Sequence, residues 1–241
     1  MKRRIDMYGS TNQITLTQAR QEASTIFLAK VFNWMAIGLG LTGVVAYLAA
    51  ESGIAMQIVS SPLFMILILA ELGMVFYLSA RVDKIQASTA TGLFVGYAVI
   101  NGLTLSTIFL AYTRSSIAGT FFITAGMFGA MAVYGLVTKR DLSGLGSFLF
   151  MGLIGIIIAS LVNMFMHSSA MSWVISMAGV LIFTGLTAYD VQRIKTMGEQ
   201  GIMTQGEEMV KKGAIMGALA LYLDFINLFL MLLRFFGGSR D

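Results

Sequence analysis

Seven runs of roughly 20 mostly apolar residues divide this chain, at 31–50, 62–80, 88–112, 117–138, 145–166, 171–191 and 214–233. Each is long enough to carry a helix across a hydrocarbon layer about 30 Å thick. The connections are short, the longest lying at 192–213, so no polar domain is left to fold apart. The expected fold class is all-α: a polytopic membrane protein, with one seven-helix transmembrane domain over 31–236 and a polar tail over 1–30. Composition agrees, because 57% of the chain is hydrophobic and only 12% charged, whereas a soluble domain is about a quarter charged. A soluble enzyme, a disordered chain and a nucleic-acid binder are thereby excluded. The absence of cysteine and the single histidine also remove disulfides, thiolate centres and histidine-rich metal sites.

The tail opens on Met1-Lys-Arg-Arg4, but Asp6, Ser10, Thr11, Asn12 and Gln13 follow instead of the apolar core of a secretory signal. It reads as an uncleaved cytoplasmic segment, with a loose amphipathic stripe at Ile14, Leu16, Ala19, Ala23, Ile26 and Phe27. Thirteen of the sixteen basic residues fall in the tail and the alternate loops on its side. By the positive-inside rule the N-terminus is cytoplasmic. Seven full crossings place the C-terminus outside, whereas a re-entrant last segment would return Arg234 and Arg240 to the cytoplasm. Gly92-x-x-x-Gly96 and Gly213-x-x-x-Gly217 are small-residue pairs of the kind that let membrane helices approach closely.

Three acids interrupt the apolar runs: Glu71, Asp190 and Asp224. A charge at mid-membrane costs roughly 2.5–3.5 kcal/mol, so each needs a partner or a pathway. Gly213, Gly217, Ala220, Asp224 and Asn227 share one helical face by their spacing. Ser176, Gly179, Phe183, Thr187 and Asp190 form a similar stripe on the sixth run. Facing the two stripes lets the aspartates meet. Two carboxyl groups in contact in a dry interior share a proton. Without that proton they repel each other or attract a hard cation such as calcium, which prefers oxygen ligands. Glu71 also needs a basic neighbour or a proton; Arg234 could snorkel toward it and Arg81 toward Asp190. The lone His167 falls in an outer loop.

The strings Phe183-Thr-Gly-Leu-Thr-Ala-Tyr-Asp190-Val-Gln-Arg-Ile-Lys195 and Ala218-Leu-Ala-Leu-Tyr-Leu-Asp224-Phe-Ile-Asn-Leu-Phe229, with Leu232-Leu-Arg234 and Lys139-Arg-Asp-Leu-Ser-Gly-Leu-Gly146, carry a resemblance. The chain resembles the Bax inhibitor-1 (transmembrane Bax inhibitor motif) family, in its bacterial inner-membrane branch. That resemblance implies seven helices with the last one central, and a calcium leak controlled by a pH-sensitive aspartate pair at the places of Asp190 and Asp224. These two would be transient calcium ligands, with calcium as cargo and no cofactor. It also implies a link between Glu71 and Arg234, and a basic latch at the place of Arg81. The implied partners are the lipid bilayer, calcium and protons, with no nucleic acid. The alternative that the resemblance offers is a non-conducting regulator that restrains a membrane-bound quality-control protease.

Other readings of the acids are weaker. An intramembrane aspartyl protease fails on Tyr-Leu-Asp224-Phe, which is no Gly-x-Gly-Asp motif, and on the single proline, Pro62. No enzyme activity is expected. A retinal protein would need a buried lysine on the seventh span. A proton-coupled exchanger would lead one to expect two matching halves, and none is evident.

Overall fold

The structure, a computed structural model, describes the backbone of residues 2–238 and the side chains of residues 18–238. In chain order it contains α1 (Lys2–Glu51), the short α2 (Ile54–Val59), α3 (Leu63–Arg81), α4 (Ala87–Leu105), the short α5 (Ile108–Ala111), α6 (Arg114–Val137), α7 (Ser143–Met166), α8 (Ser169–Glu199) and α9 (Glu207–Phe236). Among the described residues there is no strand. Among the described residues, seven helices are long and apolar enough to cross a membrane, the fourth and fifth elements counting together as one. The chain is an all-α polytopic membrane protein.

Local chemistry sets the helix ends. Thr113 caps α6 by accepting from Ser116 N at 3.3 Å, and Ser168 caps α8 by accepting from Met171 N at 3.3 Å. The only proline, Pro62, immediately precedes α3, where its missing N–H costs nothing. Between α8 and α9 the chain reverses through Gly201 and Gly206, at φ of 91° and 92°, a region that side-chain-bearing residues avoid.

Two expected boundaries differ. α1 runs unbroken through residue 30, so the tail and the first span are one helix about 75 Å long at 1.5 Å per residue. Of the expected tail stripe, Phe27 is buried and Ile26 exposed, while Ile14 and Leu16 lie outside the described side chains. The second difference is the connection at 192–213, most of which is helical: α8 continues to Glu199 and α9 begins at Glu207. Charged residues there sit on helix extensions beyond the apolar run, where helical geometry persists although hydropathy does not.

α9 is the hub. In its apolar stretch 67% of the residues are buried, against at most 39% in any other span. α1, α8, α6 and α4 all pack against it. α3 is peripheral, packing on α4 and α2 and sharing no substantial contact with α8 or α9. Close crossings use small residues. A Cβ on Gly135 of α6 would strike the Ala188 carbonyl of α8, and one on Gly198 of α8 would lie 2.6 Å from Ser24 Cα of α1. Gly213 and Gly217 likewise meet Ile202 and Val31. Gly92, by contrast, faces open space, and Gly96 approaches only the flexible tip of Met74. The first of the two expected small-residue pairs is therefore not a close crossing.

The loops at 82–86, 138–142 and 200–206 lie at one end of the bundle, called here the basic face. The opposite end gathers the start of α6 and the end of α9: Gly238 N donates to Ser116 Oγ at 2.9 Å, and Thr113 N donates to Gly238 O at 3.2 Å. There Arg114 also pairs with Glu51 at the end of α1. The last helix thus runs the length of the bundle from the basic face to the opposite end, as a full crossing would.

Candidate functional site at the central helix

Helical spacing puts Ser176, Gly179, Phe183 and Thr187 in the interior of α8, all buried. The same stripe carries Asp190, half-buried. Gly179 receives Met231 of α9 against its bare Cα, so the two helices are in close register along this seam. Asp224 lies on the α9 side, 4% exposed. The carboxyl groups of Asp190 and Asp224 come within hydrogen-bonding reach of each other. Asp224 Oδ2 is buried and receives no hydrogen bond. An acceptor left bare in that position is costly, unless the pair carries a proton between its oxygens or a cation meets them. Asn227, one turn along, donates Nδ2 to Leu223 O of its own helix at 2.8 Å and does not join the pair.

The basic neighbour of Asp190 is not Arg81 but Arg193, three residues on along α8, which acts electrostatically on it. Arg81 is exposed at the end of α3, a helix that has no substantial contact with α8. Arg193 falls just beyond the sixth apolar run, in the connection at 192–213. Its position at i+3 from Asp190 was a legible signal once α8 is extended past residue 191.

A second polar site lies on the other side of the hub. Tyr222 and Asp224 are two residues apart, about 200° around the helix. Tyr222, fully buried, donates to Asn101 Oδ1 of α4 at 2.9 Å and lies 2.6 Å from Thr42 Oγ1 of α1. Thr42 also reaches Ala98 O at 2.8 Å. Asn101 Nδ2 donates to Glu71 Oε2 at 3.1 Å, and Thr104 Oγ1 donates to Glu71 Oε1 at 2.6 Å. The rings of Phe94 and Tyr97 stand edge-on to Tyr222 at 6.0 and 5.7 Å. The two hydroxyls of Thr42 and Tyr222 own two protons for three short contacts. The array is therefore shared rather than fully satisfied at any instant.

Glu71 thus has neutral partners in place of the expected Arg234. The reason is geometric: α4 stands between α3 and α9. Arg234 is twelve residues beyond Tyr222 on α9, about 18 Å along the axis. It is exposed and forms no ion pair among the described residues. Asn101, Thr104, Thr42 and Tyr222 carry no charge, and nothing in their spacing marks them as a set.

Neither site is a ready-made metal cage. Among the described residues no three His, Cys, Asp or Glu side chains come together. His167 is exposed on the turn after α7, at φ 51°.

The profile of the family described as inhibitor of apoptosis-promoting Bax1 matches residues 25–241. The inner membrane protein YbhL of Escherichia coli strain K12 is 52% identical over 228 residues, covering 94% of this chain and 97% of that one. A Borreliella burgdorferi protein is 50% identical, covering 95% and 99%. One from Deinococcus radiodurans is 46% identical, covering 98% and 100%.

Proposed function

The chain belongs to the Bax inhibitor-1 family, and on that premise we propose that it is a pH-responsive cation leak of a bacterial inner membrane, with calcium as the favoured ion. One observation carries the reading: an aspartate pair, one partner buried on the central helix, is set face to face across the α8–α9 seam with an Asp224 carboxylate oxygen that accepts no hydrogen bond. With one proton shared, the pair ties the two helices together. With none, two anions face each other and favour a hard divalent cation. Two carboxylates supply too few oxygens to hold calcium tightly, since it takes six to eight. Weak binding suits an ion that must leave again. Arg193 sets the electrostatic balance of Asp190, while Glu71 ties α3 to Asn101 and Thr104 of α4, and Asn101 in turn holds α4 to Tyr222 on the hub. The N-terminus is cytoplasmic, since the basic face carries most of the lysine and arginine.

Purified protein in calcium-loaded liposomes is expected to release calcium at a rate that changes with pH. Asp224→Asn and Asp190→Asn should each flatten that profile, because an amide neither shares the proton nor repels its neighbour. Vesicles that stay tight at every pH would overturn permeation. A profile unchanged in both variants would remove the pair from it.

A further inference from the structure

A cavity of about 600 Å³ opens on the basic face, between the α6–α7 loop and the last turns of α8. Four cations line it, Lys139, Arg140, Arg193 and Lys195, against two acids, Asp141 and Glu199. The acids offset only part of this charge. Glu199 pairs with Lys195 at 3.9 Å. Hydrogen bonding from Ser143, whose N donates at 2.9 Å, engages Asp141 and holds its carboxyl below the usual range. Lys139, Arg140 and Arg193 form no ion pair among the described residues.

The walls are fixed rather than draped. Gln192 clamps the loop to α8 with both ends of its amide: Nε2 donates to Arg140 O at 2.8 Å and Oε1 accepts from Leu142 N at 2.9 Å. Lys195 Nζ donates to Leu136 O at 2.8 Å, tying α8 to the end of α6. The loop backbone that carries Lys139 and Arg140 is thus held against α8, with Lys195 tied in place, before any ligand arrives, which lowers the ordering cost of binding. On the two helices that the loop joins, Val137 at the end of α6 is 69% exposed and Phe148 in the second turn of α7 is 66% exposed, so apolar side chains are available near either end of the loop.

We propose that this cavity binds the phosphate of an anionic phospholipid headgroup, with the acyl chains lying along the exposed side chains of Val137 and Phe148. Positive charge recognises the phosphate, and these apolar side chains select a lipid over free phosphate. Basic pockets between membrane helices are suited to such headgroups. The site is independent of whether the protein conducts ions.

The test uses delipidated full-length protein in neutral detergent, titrated with phosphatidylglycerol, phosphatidylcholine or inorganic phosphate. Bound lipid is counted by native mass spectrometry, and melting temperature is followed in parallel. Phosphatidylglycerol should bind and raise the melting temperature, while phosphatidylcholine and phosphate should do neither. Lys139→Gln with Arg140→Gln should weaken phosphatidylglycerol binding at least threefold. Lys30→Gln with Lys84→Gln, which removes two exposed cations outside the cavity, should leave it unchanged. Arg193→Gln gives an independent arm if the first pair fails to fold. Equal loss in the outlying pair would show diffuse surface charge and overturn the site. So would undiminished binding in both cavity variants, or equal binding of phosphatidylcholine. Displacement of the lipid by inorganic phosphate would overturn the lipid as its occupant.

Discussion

At the scale of single residues, the chain separates charges that announce themselves from neutral groups that do not. Asp190 and Asp224 are legible because an acid inside an apolar run has no cheap explanation. Tyr222, Thr42 and Asn101 are not, since hydroxyls and amides are ordinary in membrane helices and their partners lie on other elements. Yet their array invites a sharp measurement. Tyr222→Phe keeps the ring and its edge contacts but strips the donor from buried Asn101 Oδ1. It should lower stability by about 1–2 kcal/mol, read as a fall in melting temperature in detergent. Thr104→Val, which removes one of two donors to Glu71 from a half-buried position, should cost less. Arg234 shows the opposite failure. Its charge suggested a partner for Glu71, but no one-dimensional pattern reveals that another helix stands between them.

At the scale of elements, apolar length located all seven spans, because the bilayer fixes how many residues a crossing needs. Their ends were less legible. α8 and α9 continue for several residues into charged sequence, and the α8 extension places Arg193 near Asp190 and builds one wall of the basic cavity. Glycine was half legible. Spacing flagged Gly213 and Gly217 correctly, but it also flagged Gly92, which touches nothing, and passed over Gly135. α6 offers an internal comparison. Gly135→Val would push a side chain into the Ala188 carbonyl of α8, and backbone at a helix crossing does not step aside. A loss of about 1–3 kcal/mol is expected. Gly126→Val on the same helix meets nothing within 4 Å and should leave the melting temperature nearly unchanged.

At the scale of the whole molecule, the described topology puts the start of α6 and the end of α9 together, across the bundle from the α3–α4 turn. The natural absence of cysteine makes this simple to check. Ser115→Cys and Lys84→Cys, introduced one at a time, should react with a membrane-impermeant maleimide from opposite sides of the membrane. With the proposed orientation, Ser115→Cys labels in intact cells lacking an outer barrier and Lys84→Cys only after permeabilisation. Labelling of both from one side would contradict seven full crossings. The count of crossings and, through the family resemblance, the central place of the last helix were readable from the sequence, whereas the places of the other helices were not. A central helix and a peripheral one are both apolar, and α3 and α9 differ in neighbours rather than in kind.

The enclosed position of α9 also bears on biogenesis. Translation delivers the hub last, so six spans wait in the bilayer around an unfilled slot whose lining includes Asn101, Thr42 and Asp190. Those polar groups face lipid or one another until α9 inserts. Contacts among the other spans can form earlier, but the bundle is expected to close around its centre only once α9 has inserted.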